Sequence, residues 1–120
     1  MEDHSQSPAL FDEEILLWRM GGNPDDAKAV LEAFVAESRT LFAMIRVDIK
    51  GANAFSLRSH AESLHEGAAM VSSMILKHYA RRLMLSAKRN DFEQALKILP
   101  RLDENFNMLV ERLRESKWLE

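Results

Sequence analysis

Five ionisable side chains crowd into one short segment of this chain: Arg58, His60, Glu62, His65 and Glu66. Carboxylates beside imidazoles are potential metal ligands, so metal binding is the first chemistry to weigh. The spacing argues against it. His60 and His65 fall on different flanks of any helix, no matching ligand set recurs elsewhere, and His65-Glu66 lacks the second histidine of an H-E-x-x-H site. A second group is cationic: Lys77, His78, Arg81 and Arg82, with Lys88-Arg89 further on. Such a run would suit an anionic partner, but the formal charge of −3 favours a solvated helix face and argues against nucleic acid. Cysteine is absent, which excludes disulfides and thiolate sites and fits a reducing compartment. No residue set supports hydrolytic or redox catalysis. No cofactor, no metal and no enzymatic activity of those kinds are expected.

The elements that must position these groups are helices. Only 4 Gly and 3 Pro occur in 120 residues, no stretch alternates with a strand's period, and helical spacing dominates from Phe11 onward. Phe11, Ile15, Leu16 and Trp18 to Met20 predict a short helix stopped at Gly21-Gly22. Asn23-Pro24-Asp25-Asp26 reads as the capped start of a second helix. Its apolar stripe is Ala27, Leu31, Phe34, Leu41, Ile45 and Ile49, with Ser38 in register, and Gly51 ends it. Asn53 caps a third helix bearing Leu57, Ala61, Leu64, Ala68 and Val71. Ser72 and Ser73 mark a boundary and a fresh N-cap. The fourth helix carries Leu76, Tyr79, Ala80, Leu83 and Ala87 and ends near Asn90. Asp91 caps the fifth, whose stripe is Phe92, Ala95, Leu99, Leu102, Phe106, Leu109 and Leu113. Pro100 lies within that stripe and should kink the helix or leave hydrogen bonds unmade.

Long amphipathic helices with short connections predict an all-α, antiparallel up-down four-helix bundle, with a short additional N-terminal helix capping one end. The expected organisation is a disordered leader over 1–10, one bundle over 11–116, and a frayed tail over 117–120 that contains Trp118. No apolar run approaches a membrane span, and the polar start does not resemble a secretory signal, so a cytoplasmic location is expected.

On the third helix, the buried stripe fixes where every other side chain points. At about 100° per residue, Glu62 stands about 140° from the buried direction. Arg58, His65, Glu66 and Ala69 share that outer side, between about 80° and 180°. His60 falls on the opposite flank, about 60° from the core direction, and should be half-buried. Glu62 neighbours Arg58 and Glu66 at four residues and His65 at three, so an ordinary Arg58–Glu62 helix pair is one reading of the cluster. Met70 should be exposed.

Here the chain resembles the histidine-containing phosphotransfer (HPt) domains of phosphorelays. Their pattern reads L-R-R-x-A-H-x-L-K-G-x-A, followed by a small pair, a long amphipathic helix, and G-D before the last helix. Leu57-Arg58 match the leading pair, Ala61 and Ala68 the alanines, and Leu64 the leucine. Ser72-Ser73 stand at the small pair and Asn90-Asp91 at G-D. The resemblance covers roughly 11–115. In this register Glu62 replaces the phospho-accepting histidine, His65 the lysine and Glu66 the glycine. A carboxylate cannot be the stable N-phosphoryl carrier that an imidazole is. A register shifted by one puts Gly67 at the glycine but Ser63 at the acceptor, and spoils the match of Leu64.

The resemblance therefore implies a degenerate, pseudo-HPt module. It would bind response-regulator receiver domains, or a hybrid sensor kinase, through Arg58, Glu62, His65, Glu66 and Ala69, as a monomer or homodimer and without nucleic acid or membrane. Two alternatives stay open. One is active phosphotransfer through a relocated acceptor, His65 or, as a second choice, His60. The other is a helical interaction or dimerisation domain that merely keeps the bundle.

Overall fold

The computed structural model describes residues 9–119. Those residues form five helices and no strand: α1 Glu13–Arg19, α2 Pro24–Lys50, α3 Ala54–Met70, α4 Met74–Lys88 and α5 Phe92–Glu115. Successive long helices pack as neighbours, and α5 closes the ring onto α2, giving a four-helix bundle with α1 against α2. Among the described residues, no helix is long and apolar enough to cross a membrane.

The helices begin where short polar side chains can satisfy free backbone N–H groups. Asn23 accepts from Asp25 and Asp26, Asn53 from Ser56, and Asp91 from Gln94. Asp12, between Phe11 and the helix, does the same for α1 by accepting from Ile15. Ser73 departs from the expected cap. It occupies the N-cap position of α4, but its hydroxyl makes no capping bond and is buried without a partner. Its small size serves close packing instead. The segment before α1 lies against the α3–α4 junction, where the Asp12 N–H donates to the Ser72 carbonyl and the Ile75 N–H to the Ala9 carbonyl, each at 3.0 Å.

All five helices end in the same way. A backbone N–H reaches back five residues, from Gly22 to Leu17, Asn53 to Asp48, Ser73 to Ala68, Asp91 to Ser86 and Trp118 to Leu113, at 2.7–2.9 Å. The residue just before each donor is left-handed: Gly21, Ala52, Ser72, Asn90 and Lys117. This is the Schellman closure, which satisfies the carbonyls orphaned at a helix end. Gly51 does end α2, but with an ordinary backbone; Ala52 carries the positive φ of 51°.

The core is wider than the one-line stripes. The α3 stripe is fully buried from Leu57 to Val71. On α2 and α5, however, Phe42, Val35, Ile98 and Val110 are buried, while Leu41 and Leu99 are only half-buried, as is Phe92. Each long helix meets two neighbours, so its apolar face must broaden to an arc. Phe42 and Phe106 meet edge-to-face with ring centroids 4.8 Å apart, joining α2 to α5. Helix α5 continues through Pro100 as one element. Pro100 and Leu96 are both exposed, so the carbonyl that loses its donor lies on the solvent side of the helix.

The tail is a correction to the expected fraying. Trp118 is half-buried against the core, and its indole N–H donates to the Glu13 carboxylate of α1 at 2.8 Å. An indole needs both an apolar bed and an acceptor, and the turn after α5 supplies both. Leu10 likewise packs on the core, so the ordered chain begins before Phe11. The remainder of the expected leader, residues 1–8, lies outside the described residues, as does Glu120.

Candidate functional site on the outer face of α3

Helix α3 lies between α2 and α4, with one side left to solvent. Because Leu57, Ala61, Leu64 and Ala68 are all fully buried, residues about half a revolution away must face outward. Arg58, Glu62 and Glu66 are exposed and line one shallow depression together with Phe55, Ser59 and Ser63. Arg58 and Glu62 lie within one turn but do not form an ion pair; among the described residues Arg46 pairs with Asp103, and the His60 imidazole contacts the Asp48 carboxylate. The carboxylates of Glu62 and Glu66 are thus left to water, one turn apart on an open surface.

The structure does not bring all five expected residues together. His65 and Ala69 are half-buried and stand outside the depression. His65 lies about 80° from the buried direction, at the margin of the apolar face, in keeping with its half-burial. Gly67 occupies the mirror position on the other flank, toward α2. A Cβ there would approach the Phe34 ring to 3.1 Å, so Gly67 serves helix packing and does not open the outer surface. That placement removes the shifted register, in which Gly67 would stand beside the reacting group.

Two residues of this region escaped the sequence reading. Phe55 is 85% exposed and borders the depression. The helical wheel carried that signal, since Phe55 falls about 160° from the stripe. The other is Asp48 of α2, whose carboxylate meets His60 Nδ1 at 2.6 Å. Asp48 is nearly buried, with its side chain 7% exposed against 26% for His60. Its register three residues after Ile45 placed it at the core edge, but only the folded chain reveals its partner. His60 is half-buried, as expected.

The pair clamps the end of α2 to α3. Removing His60 strands a buried carboxylate, and His60→Ala is expected to cost about 1–3 kcal/mol in urea unfolding. The double variant His60→Ala/Asp48→Asn should recover part of that loss, because the stranded charge is gone. Equal destabilisation of single and double variants would show that the ion is not the source of the cost.

Helix α1 reaches the other end of α3. The Arg19 guanidinium donates to the Ala69 carbonyl and, at 3.5 Å, to that of Met70. This holds a helix with exposed Ile15 and Trp18 beside the exposed Met70. Among the described residues, no cluster of three or more histidines and carboxylates is arranged to hold a metal ion.

The fold is that of a histidine-containing phosphotransfer protein. The match is to the crystal structure of histidine-containing phosphotransfer protein B (HptB) from Pseudomonas aeruginosa PAO1, with a TM-score of 0.83 at 20% sequence identity, over 92% of this chain and 96% of that one. No family model matches the chain, and no curated protein does.

Proposed function

We propose that this chain is an HPt-like phosphorelay module that docks response-regulator receiver domains on the outer face of α3 without relaying phosphate through the usual position. One observation carries the reading: on a bundle of this fold, the residue at the expected acceptor position, Glu62, stands exposed at the centre of an open face between Arg58 and Glu66. A carboxylate there offers a fixed negative charge and no nucleophilic imidazole. It imitates a phosphohistidine only in part, since phosphate carries nearly two charges and more acceptor oxygens. The apolar groups beside it, Phe55 at one end and Met70 with Trp18 and Ile15 at the other, suit an amphipathic helix of a partner.

The test is a titration of isotope-labelled protein with receiver domains, followed by NMR. Shifts confined to α3 residues 58–69 and to α1 are expected. Shifts that avoid α3 altogether would overturn receiver docking on this face.

A second reading, phosphotransfer through a displaced histidine, is favoured by the Asp48 contact. It engages one nitrogen of His60 and leaves the other for chemistry, an arrangement that fixes tautomer and ring orientation. His65 has no comparable partner among the described residues. Acid-labile label acquired from a phosphorylated receiver, and lost in His60→Ala, would establish this reading in place of the first.

A further inference from the structure

The charge of this chain is segregated. Residues 77–101 hold seven lysines and arginines against two acids, whereas the rest of the chain holds nine against seventeen. The fold concentrates the excess further. Tyr79 and Arg82 of α4 and Gln94, Lys97, Ile98 and Arg101 of α5 line one concave pocket between the two helices, with a cavity of about 280 Å³. No carboxylate lines it. Among the described residues, Arg82, Lys97 and Arg101 make no salt bridge, although Arg46 finds Asp103 at 2.6 Å on the same bundle. Lys97 and Arg101 stand four apart on one helix, where like charges repel. Three cations that line one cavity without a salt-bridge partner offer a site where a bound anion would be neutralised.

We propose that this pocket binds a soluble small molecule bearing a diphosphate group. Two guanidinium forks from different helices, with an ammonium in the same lining, match the dense charge and multiple oxygens of linked phosphates. The Tyr79 hydroxyl and Gln94 amide add neutral donors, and buried Ile98 supplies an apolar floor. The volume falls just below the range of drug-sized ligand pockets, which suits a group as small as a diphosphate. An extended acidic peptide fits less well. Its charges are spread along the chain, and the adjoining depression that would have to continue the groove is lined by Asp91. The site lies on α4 and α5, apart from the outer face of α3, so it stands or falls independently of receiver docking.

The test uses the full chain and inorganic pyrophosphate, titrated by NMR in about 0.15 M salt, where long-range attraction between exposed charges is screened. Saturable one-to-one binding with shifts on α4 and α5 is expected. Lys97→Gln and Arg101→Gln should each weaken it roughly ten-fold or more. Arg114→Gln, further along α5, should leave it unchanged, and circular dichroism of each variant confirms folding. The proposal is overturned by non-saturating shifts, by undiminished binding in the folded Arg101→Gln protein, or by preferential capture of a polyglutamate peptide or of anionic phospholipid vesicles over pyrophosphate.

Discussion

A Glu62→His/His65→Lys/Glu66→Gly variant is expected to accept a phosphoryl group from a phosphorylated receiver domain, where the unaltered chain accepts none at position 62. The scaffold for that change is already in place. Fully buried Leu57, Ala61, Leu64 and Ala68 fix the rotation of α3, so a histidine at 62 would project into the same open depression as the glutamate. The two further substitutions address charge. A carboxylate close to an incoming acyl phosphate opposes it by about 1 kcal/mol per unit charge in water at 4 Å, and more where the partner excludes water. Removing Glu66 and placing a cation at 65 reverses that sign. Glycine within a helix costs about 1 kcal/mol, which a bundle of this size should tolerate. The readout is label that is acid-labile, stable in alkali and absent from the Glu62→Ala control. A folded triple variant that binds receivers yet takes no label would show that this face does not present residue 62 to the receiver's aspartyl phosphate.

The largest stability effect is expected at the seam between α2 and α5. Phe42 and Phe106 are both nearly buried, and their edge-to-face contact lies where the first and last long helices of the bundle meet. Phe42→Ala removes the ring and leaves a cavity that the flanking helices cannot fill, at a cost of about 3–5 kcal/mol. That is a large share of the stability of an ordinary domain. Arg39, whose guanidinium lies 5.6 Å from the Phe106 ring centroid, is exposed, and Arg39→Ala should cost less than about 1 kcal/mol. Urea unfolding separates the two. A loss below about 1 kcal/mol in Phe42→Ala would mean that the seam repacks and that the aromatic pair does not hold it.

What could be read in advance follows from which interactions are local. The α3 stripe was legible because its spacing of four, three, four and three admits only one helical face, and that face determines where Glu62 points. Asn23, Asn53 and Asp91 were legible because a cap binds N–H groups two or three residues on. Phe55 was legible in principle by the same wheel. The clamp from Asp48 to His60, the reach of Arg19 to the α3 carbonyls and the docking of Trp118 on Glu13 are contacts between distant segments. Nothing in the spacing of one helix specifies its partner on another. His65 shows the limit within a single helix: at the margin of the apolar face, the rotation alone does not decide between exposure and partial cover.

The repeated closure at the helix ends bears on how fast this chain can find its fold. Residues 51–53, 71–73 and 89–91 are the whole of the connections between the long helices, and in each the last residue of the turn is already the cap of the next helix. Each hairpin of helices can therefore zip up from its own turn, with little entropy lost to loop closure. Only the α2–α5 seam and the docking of the two ends join segments far apart in sequence. Chains dominated by local contacts of this kind fold on the order of microseconds to milliseconds. For this bundle, the slow event is expected to be the meeting of its first and last long helices, with the hairpins formed ahead of it, an order that the response of the folding rate to Phe42→Ala would check.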